Sequence, residues 1–249
     1  MKPYEYQTMR SVEDSYWWFT GLRTRVVDRL KRSTDTGNTM RVLDAGCGTG
    51  GMMQTLHQYF PEADIIGIDF SAQAVQSTRE RDVGPVINAS VDAVPFGKEI
   101  FDVIISLDVV LEMKAVQDHE ALAEFYRVLK KQALLILNLT AFECLRGQHD
   151  DAVTVKHRYI KKTLEPILLN AGFTIVEMTY WNALFFPLLV IWRPLSRLFA
   201  DTSQPVSDLA PLPGWLNNMM TWISLKEMRV AHHLSPPFGS SIFVLAKKN

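Results

Sequence analysis

The sequence predicts an α/β fold built on a doubly wound, mainly parallel sheet. Segments typical of strands alternate with segments of helical periodicity along most of the chain, and a glycine-rich turn directly follows the first strand. Because parallel strands are joined by right-handed crossovers, this order places helices on both faces of the sheet. The chain has 249 residues, of which 47% are hydrophobic, and is therefore long enough to bury a full core.

Seven short apolar runs predict the strands. In chain order they are MRVLDAG, ADIIGIDF, PVINAS, FDVIISLD, ALLILNL, FTIVEMTY and SSIFVLAKK. Apolar spacing predicts helices in GMMQTLHQYF and HEALAEFYRVLK, and Ser71 is suited to cap a helix through AQAVQSTRER. In TLEPILLNAGF we expect Thr163 to cap a helix, Pro166 to lie in its first turn and Gly172 to end it.

Composition argues against several classes of partner. The formal net charge is -1, so there is no excess of Lys and Arg to neutralise a nucleic-acid backbone. Cys47 and Cys144 lie far apart without metal-ligand spacing, which indicates reduced thiols in a cytoplasmic protein. The stretch MKPYEYQTMRSVEDSYWW has no apolar secretion segment. We expect neither a nucleic-acid partner nor a bound metal.

The stretch VLDAGCGTGG, Val42–Gly51, is compatible with two cofactors. Its glycines match the G-x-G-x-x-G loop that holds a dinucleotide pyrophosphate, whereas Asp44 begins a D-x-G-x-G-x-G pattern. A carboxylate so close to the loop repels phosphates but attracts the sulfonium and ammonium of S-adenosylmethionine. Asp44 therefore favours the cationic cofactor. Asp69, at the end of the next strand, suits the ribose hydroxyls of either one.

Four further stretches follow the loop in order: GIDFSAQAV, SVDAVPF, FDVIISLDVVLEM and EFYRVLK. With the loop, they make residues 41–138 resemble the class I S-adenosylmethionine-dependent methyltransferases. The resemblance implies a Rossmann-like sheet of seven strands whose last strand is antiparallel. It also implies S-adenosylmethionine as the cofactor.

The resemblance assigns roles to residues around the loop. The loop glycines would hold the methionine part of the cofactor, and Asp69 would bind its ribose. Asp108, at the end of the fourth strand, would lie close to the cofactor. The expected cofactor contacts are Trp18, Arg23, Asp44, Ala45, Gly46, Cys47, Gly48, Gly50, Asp69, Phe70, Ser90, Val91, Asp92, Leu107, Asp108 and Val109.

The chain departs from the family pattern at three places, one of which is Glu112-Met113, where members often have Glu followed by His. Ser90 and Val91 match the pair that borders the adenine, but many members have Asp at the position of Ser90. Asp92 is a nearby substitute for recognition of the adenine amino group. Lys130–Ala133 replaces a glycine-containing turn with KKQA, which we expect to alter only the local conformation.

The flanks resemble a narrower group of bacterial methyltransferases. YWWFTGLRTRVV, Tyr16–Val27, matches the aromatic and arginine-bearing helix before the core, and GQHDDAVTVKHRYIKKTL matches its HD…H…RY segment. In the first of these, Arg23 is either a clamp for the cofactor carboxylate or part of a solvated helix face. We expect a single domain over residues 1–249. Its parts are a helical cover at 1–38, a core at 39–182 and 241–249, and a helical insertion at 183–240.

The segment after the fifth strand holds the candidate catalytic residues His149, Asp150, His157, Arg158 and Tyr159. A hydroxyl or protonated amine acceptor needs a base, which histidine supplies and aspartate orients, while Arg158 or Tyr159 holds the substrate. Two alternatives stay open. Arg158 and Tyr159 could only pin the loop to the next helix. His149, Asp150 and His157 could bind a metal, although their spacing fits no familiar tetrahedral site.

The insertion is unusually apolar. Its stretch ALFFPLLVIW is interrupted by Pro187 and is too short to span a bilayer, which needs about 20 residues. Three roles stay open: a lid over an apolar substrate, a dimer surface, or an interfacial helix with Arg193 and Arg197 at the level of the lipid headgroups. A helix is expected from Trp215 to about Ala231, after a proline-rich connector.

We therefore expect methyl transfer from S-adenosylmethionine to a small-molecule acceptor at oxygen or nitrogen, with S-adenosylhomocysteine as the product. The expected acceptor is a saccharide, a lipid-linked compound or another secondary metabolite. A cytoplasmic location is expected, with peripheral contact to the inner face of the membrane through residues 183–199 and homodimer formation as open options. A catalytically silent, methyltransferase-like binding protein is the alternative function. A nicotinamide-dependent oxidoreductase is disfavoured by Asp44.

Overall fold

The computed structural model of the protein describes residues 3–34, 39–109, 115–147, 150, 155–198, 209, 211–231 and 235–249. The strands are β1 (Arg41–Ala45), β2 (Asp64–Asp69), β3 (Val86–Asn88), β4 (Phe101–Leu107), β5 (Leu129–Thr140), β6 (Phe173–Trp181) and β7 (Ser241–Lys248). The helices are α1 (Pro3–Val12), α2 (Trp17–Ser33), α3 (Gly51–Tyr59), α4 (Ala72–Arg81), α5 (Ala115–Val128), α6 (Lys161–Asn170), α7 (Phe186–Leu198) and α8 (Gly214–Ala231). A short 3-10 turn spans Glu143–Leu145.

The seven strands form one sheet in the order β3-β2-β1-β4-β5-β7-β6. Strands β1 to β5 pair in parallel, and β7 lies antiparallel between β5 and β6. The predicted α/β sheet with an antiparallel last strand is confirmed. The strand order reverses between β1 and β4, and in such sheets the crevice beyond the carboxyl ends at this point binds ligands.

Two buried apolar cores cover the two faces of the sheet. Successive strand residues alternate between them: Leu43 and Ile104 belong to one core, while Val42 and Val103 belong to the other. Helices α5 and α6 complete the first core, and α2 and α3 complete the second. Because α2 lies within the predicted cover, part of the cover belongs to the central core.

The start of α6 differs from the prediction. The helix begins at Lys161, ahead of Thr163, so Pro166 lies inside the helix and not in its first turn. Thr163 still serves the helix terminus, because its Oγ1 accepts the N–H of Ile160 at 3.3 Å. The cap therefore acts from within the first turn.

The KKQA departure also has a visible consequence. Lys130–Ala133 lies within β5, where Gln132 adopts a φ of +61°. The register between β4 and β5 shifts between Phe101 and Val103 at the same place. An irregularity in the strand pairing thus occupies the position of the expected turn.

Helix α8 anchors the insertion to the cover. The side chain of Asn217 accepts the N–H of Trp17 and donates to the carbonyl of Ser15, both at 2.9 Å. Glu227 accepts the N–H groups of the two residues at 183 and 184, just before α7, at 3.1 Å each. Of the helices that the structure describes, none has the length and apolar content needed to cross a membrane.

Candidate functional site

The glycine loop joins β1 to α3 where the strand order reverses. Gly46, Gly48 and Gly50 have φ angles of +87°, +56° and +84°, a region that glycine enters without steric cost. The N–H groups of Gly46 and Cys47 donate to the carbonyl of Ile68 at 2.8 and 3.0 Å. These bonds fasten the loop to the end of β2 and present backbone without side chains at the carboxyl edge of the sheet.

Asp44 lies near the end of β1 with only 2% of its surface exposed. Its Oδ2 atom has no hydrogen-bond partner among the residues that the structure describes. Burial, together with the carboxylates of Asp69 and Glu13, raises the pKa of Asp44 to about 8. A buried carboxylate oxygen without a partner fits a cationic ligand and opposes a pyrophosphate. On this observation, the site fits the sulfonium and ammonium of S-adenosylmethionine.

Asp69 holds the glycine loop from the end of β2. Its Oδ2 accepts the N–H of Gly48 at 3.0 Å, and its Oδ1 accepts the N–H of Ser71 at 2.9 Å. Burial raises the pKa of the Asp69 carboxyl, while the two backbone donors act in the opposite direction. The expected contact with the cofactor ribose stays a prediction.

A buried ion pair ties the cover to the loop. Arg81 of α4 pairs with Glu13 at 2.5 Å and donates to the carbonyl of Thr49 at 2.9 Å. The hydroxyl of Thr49 donates to the same Glu13 oxygen. Met9 of α1 lies so close to the loop that a Cβ built on Gly48 would be 3.0 Å from its terminal methyl. The N-terminal segment therefore lies directly over the glycine loop.

Arg23 reaches the same loop from α2. Its Nη1 donates to the carbonyl of Gly51 at 3.0 Å, and the residue is buried. Its Nη2 has no hydrogen-bond partner within the described ranges. Burial lowers the pKa of the Arg23 guanidinium, with Glu13 acting against that change. Its burial argues against a solvated helix face, and the clamp for the cofactor carboxylate stays a prediction.

A chain of polar contacts connects Asp108 to the cover. Asn138 of β5 donates to both carboxylate oxygens of Asp108, at 3.0 and 2.9 Å. Trp181 in turn donates its indole N–H to Asn138 at 2.8 Å. The ring of Trp181 stacks on Trp18 of α2 with 5.9 Å between centroids. Trp18 thus stabilises the edge of the sheet that carries Asp108.

The other predicted cofactor contacts occupy three kinds of environment. Phe70 is 62% exposed at the end of β2, and the side chain of Asn88 donates to its carbonyl at 2.9 Å. Ser90, Asp92, Leu107 and Val109 are partly exposed at the carboxyl edge of the sheet. Ala45, Cys47 and Val91 are buried.

Of these residues, Val109 packs against the loop and Cys47 is part of it. A Cβ built on Gly46 would lie 2.1 Å from a methyl of Val109, so only glycine fits beside this side chain. Burial raises the pKa of the Cys47 thiol well above its ordinary value. The thiol is therefore kept neutral, as expected for a packing residue.

A second polar cluster lies beyond the ends of β4 and β5. His157 Nε2 is 2.8 Å from Oδ2 of Asp118, a buried side chain in the first turns of α5. The hydroxyl of Tyr159 donates to the same Asp118 oxygen and contacts His157 Nε2. Tyr159 is fixed at the sheet edge, because its N–H donates to the carbonyl of Thr140 at 3.1 Å. This arrangement can hold a histidine in one orientation and tautomer.

Asp150 and Arg158 are brought together in a different way. Asp150 Oδ1 accepts from Nε and Nη2 of Arg158 at 2.9 and 2.7 Å, and both side chains are buried. Oδ2 of Asp150 accepts the N–H of Gly147 at 2.6 Å and Nη1 of Arg193 at 3.2 Å. These contacts support the alternative in which Arg158 pins the loop; a direct catalytic role for Asp150 and Arg158 stays a prediction. His149 lies outside the described residues.

Arg193 does not fit the interfacial role considered for it. Its Nη1 donates to the carbonyl of Leu145 as well as to Asp150, and 15% of its side chain is exposed. The buried carboxylate of Asp150 and the carbonyl of Leu145 hold the Arg193 guanidinium against the loop, so it does not extend into solvent as a lipid-headgroup contact would require. Within the described ranges, no group of three or more His, Cys, Asp or Glu side chains is suited to hold a metal ion.

Four of the residues that build the two clusters are absent from the sequence predictions: Glu13, Arg81, Asp118 and Asn138. Each joins segments far apart in the chain, as in the contact of Arg81 with Glu13. Asp118 resembles any acidic residue in the first turns of a helix, where the helix dipole favours it. Asn138 is distinguished only as a polar residue within an apolar strand, which is a signal that a buried hydrogen bond is needed.

The chain is similar in sequence to known methyltransferases. The family model described as a methyltransferase domain matches residues 42–132. The chain is similar to malonyl-(acyl-carrier protein) O-methyltransferase of Herminiimonas arsenicoxydans, with 30% identity over 241 residues, which cover 92% of this chain and 89% of that protein. A shorter match of 68 residues is 34% identical to trans-aconitate 2-methyltransferase of Yersinia pestis, covering 27% of this chain and 26% of that protein.

A solved structure shows the same fold. Magnesium protoporphyrin IX methyltransferase from Synechocystis, crystallised with bound S-adenosylmethionine, superposes with a TM-score of 0.56 and 15% identity. The superposition covers 92% of this chain and 79% of that one. At this identity the likeness concerns the fold alone.

Replacing Asp44 with Asn is expected to weaken binding of S-adenosylmethionine roughly ten- to hundredfold, because an amide keeps the shape of the side chain but loses its charge. Titration calorimetry measures the change. Asp102→Asn is the matched control, since Asp102 lies on the same sheet but pairs with Lys130 at 2.8 Å, partly exposed. Equal affinity of the wild type and Asp44→Asn would contradict the assignment.

The same substitution is expected to change how stability without cofactor depends on pH. The pKa of Asp44 is 3.8 ordinarily and about 8 in the folded protein, so the folded state binds an additional proton between these values. The wild type therefore loses stability as the pH rises through this window, and Asp44→Asn lacks the loss. Urea unfolding across the window measures it; a stability difference that does not vary with pH would rule out Asp44 as the source.

Replacing Asn138 with Leu is expected to lower the free energy of unfolding by about 1–3 kcal/mol, because it leaves the buried indole N–H of Trp181 without an acceptor. Trp181→Phe removes that donor. In the double variant the two losses should therefore be less than additive, as urea unfolding of all four proteins would show. Strict additivity would mean that the contact does not contribute to stability.

Proposed function

Because the chain belongs to the class I S-adenosylmethionine-dependent methyltransferases, we propose that it methylates a hydroxyl oxygen of a small-molecule acceptor, with His157 as the general base. The observation that carries the proposal is the contact of His157 Nε2 with the buried carboxylate of Asp118 at 2.8 Å. Family membership also decides between the two interpretations of the glycine loop in favour of S-adenosylmethionine.

The cofactor, when bound, supplies an electrophilic methyl carbon on a sulfonium sulfur. Toward that group, Asp44 offers a carboxylate at the end of β1, and the glycine loop offers a close backbone approach. Asp69 keeps the loop in place through the N–H of Gly48, at 3.0 Å. Arg23 offers the free donor Nη2 to the cofactor carboxylate.

The position of the second cluster supports a role at the acceptor. Asp118 belongs to α5, which follows β4, and Tyr159 pairs with Ala141, which follows β5. The carboxyl ends of β1, β4 and β5 lie at one edge of the sheet, because these strands are parallel. The cluster therefore lies on the same edge as Asp44 and the glycine loop.

The geometry of the cluster suits proton transfer. Asp118 faces Nε2 of His157, and Nδ1 has no hydrogen-bond partner among the described residues, while 23% of the side chain is exposed. A carboxylate on one ring nitrogen favours the tautomer in which the other nitrogen accepts a proton. In this proposal Nδ1 of His157 would accept the hydroxyl proton of the acceptor. The acceptor oxygen would receive the methyl group as the bond from carbon to sulfonium sulfur breaks, leaving neutral S-adenosylhomocysteine. Burial and Asp118 raise the pKa of Tyr159, so its hydroxyl stays a donor that orients Asp118.

Aromatic side chains beside the cluster suggest the character of the acceptor. Phe142, which follows β5, stacks on Tyr180 at 5.0 Å and contacts Phe186 of α7 at 5.2 Å. Phe186 stacks in turn on Phe238 at 5.1 Å. The insertion thus contributes an aromatic wall next to the end of β5. This wall supports the lid hypothesis and favours a hydroxyl on an aromatic or lipid-linked compound over a free sugar.

A carboxyl acceptor is the second candidate, favoured by the similarity to malonyl-(acyl-carrier protein) O-methyltransferase over most of both chains. A carboxylate attacks without losing a proton, so it needs no base. The two candidates therefore differ in their dependence on His157.

Replacing His157 with Gln is expected to lower kcat on a hydroxyl acceptor roughly 10²- to 10⁴-fold, because a general base is lost. Affinity for S-adenosylmethionine should be unchanged. The measurement is transfer of labelled methyl to a panel of phenolic, saccharide and lipid-linked hydroxyl compounds and to malonyl-acyl carrier protein. His119→Gln is the matched control, since His119 is the exposed neighbour of Asp118 on α5.

Asp118→Asn should reproduce most of the loss. Full activity of His157→Gln on a hydroxyl acceptor would contradict the proposed base. Transfer only to the malonyl thioester, at a rate that does not depend on His157, would establish the carboxyl candidate.

A further inference from the structure

We propose that the outer face of α8 binds an anionic lipid surface. We define this face as Trp215, Met219, Trp222, Lys226 and Val230, whose spacing places all five on one side of the helix. None of these residues belongs to the clusters assigned to methyl transfer. The proposal therefore holds for either acceptor class.

The opposite side of α8 is committed to the fold. Ser224 and Met228 are buried, and Asn217 binds the start of α2. Because these three recur at the helical repeat, the outer face points away from the cover. Trp215 is 70% exposed and Trp222 is 60% exposed. Packing within the part of the chain that the structure describes does not explain two exposed indoles on one helix side, whereas an interaction surface does.

The residue types on this surface favour a membrane. Tryptophan is enriched at the boundary between lipid and water, where its ring is in apolar surroundings and its N–H remains hydrated. Helix α7 of the same insertion exposes a further tryptophan, Trp192, beside Leu188 and Ile191. Both helices therefore present large apolar side chains to solvent.

The charges on α8 are complementary to anionic headgroups. Its basic residues are Lys226 and Arg229, and its single acid, Glu227, is occupied by two backbone N–H groups at 3.1 Å. The ammonium of Lys226 lies 5.5 Å from the ring centroid of Trp222. Basic residues together with tryptophan are typical of helices that lie at headgroup level.

A cavity of about 290 Å³ between α2 and α8 extends the positive surface. Its lining includes Lys31, Arg32 and Arg229, and one acid, Asp28, which pairs with Arg32 at 3.0 Å. The cavity therefore has an excess of positive charge, although the whole chain has a net charge of -1. This local excess attracts the phosphates of anionic lipids.

The same charges argue against a second copy of the chain as the partner. In a two-fold symmetric dimer the same patch meets itself. Such a dimer would bury Lys226 and Arg229 of both copies without an acid on the outer face to pair with them. A lipid surface supplies the missing negative charge.

The test uses the full-length protein and vesicles of phosphatidylcholine with or without phosphatidylglycerol. The wild type is expected to sediment with the anionic vesicles, less so at high salt, and to show a blue shift of tryptophan emission. Trp215→Ser with Trp222→Ser should lower the vesicle partition coefficient roughly tenfold or more. Leu169→Ser with Val176→Ser is the matched control, since these apolar residues on α6 and β6 are also about half exposed, at 51% and 53%.

A second variant pair keeps the test decisive if the tryptophan variants do not fold. Lys226→Glu with Arg229→Glu should abolish the preference for anionic vesicles, while binding of S-adenosylmethionine shows that the fold is intact. Failure of the wild type to bind anionic vesicles, or equal binding by either variant pair, would overturn the proposal. So would a wild-type dimer in analytical ultracentrifugation that becomes a monomer in the tryptophan variants, because a second copy would then occupy the face.

Discussion

At the end of β1 the protein keeps a carboxylate out of water and leaves one of its oxygens without a hydrogen bond, an arrangement that opposes folding. The surroundings of Asp44 increase the effect, because Asp69 and Glu13 also raise its pKa. Glu13 has a cation of its own in Arg81, whereas Asp44 has none among the described residues. A positively charged methyl donor supplies that counter-charge. We therefore expect the site to be most stable when the methyl donor is bound.

The rest of the site is arranged to keep this carboxylate and the glycine loop in position. Asp69 fixes the loop from β2, and Arg23 fixes its far end through the carbonyl of Gly51. Asp108 follows β4, the other strand at the reversal. The side chain of Asn138 on β5 donates to Asp108 and accepts the indole N–H of Trp181. Since Trp181 stacks on Trp18, the cover takes part in both arrangements. A cover that shares the sheet's core is more rigid than a flap joined by a hinge.

Local features of the sequence predicted most of the fold. The central strands β1 and β4 are apolar runs because they are buried on both faces. Ser71 caps α4 as expected, with its Oγ accepting the N–H of Ala74 at 3.4 Å. The glycine loop and Asp44 were also predictable, since ten consecutive residues, Val42–Gly51, contain both the glycines of the turn and the charge. Pro166 was misplaced because helix ends are set by caps that allow several starting points.

Contacts between distant segments could not be predicted in the same way. Asp118 contacts Tyr159 and His157 only because α5 and the segment beyond β5 pack against the same edge of the sheet. No sequence pattern in either segment indicates that the two are neighbours. The inward position of Arg193 has the same origin. Its partners, Asp150 and the carbonyl of Leu145, are buried by other parts of the loop and need a donor there. The apolar composition of the insertion left an interfacial position for Arg193 open, whereas the polar groups beneath α7 determine which side of the helix the arginine takes.

The insertion shows how one segment meets two demands. Its inward side chains complete the protein: Phe186 packs against Phe142 beside the proposed acceptor site, and Glu227 binds the amides that begin α7. Those contacts fix α8 in one rotation about its axis, because Asn217 and Ser224 can face the cover in only one way. The exposed indoles of Trp215 and Trp222 follow from that rotation, and no packing contact among the described residues selects tryptophan there. A polar residue would stabilise a solvated helix face equally well, so the indoles point to an environment outside the chain.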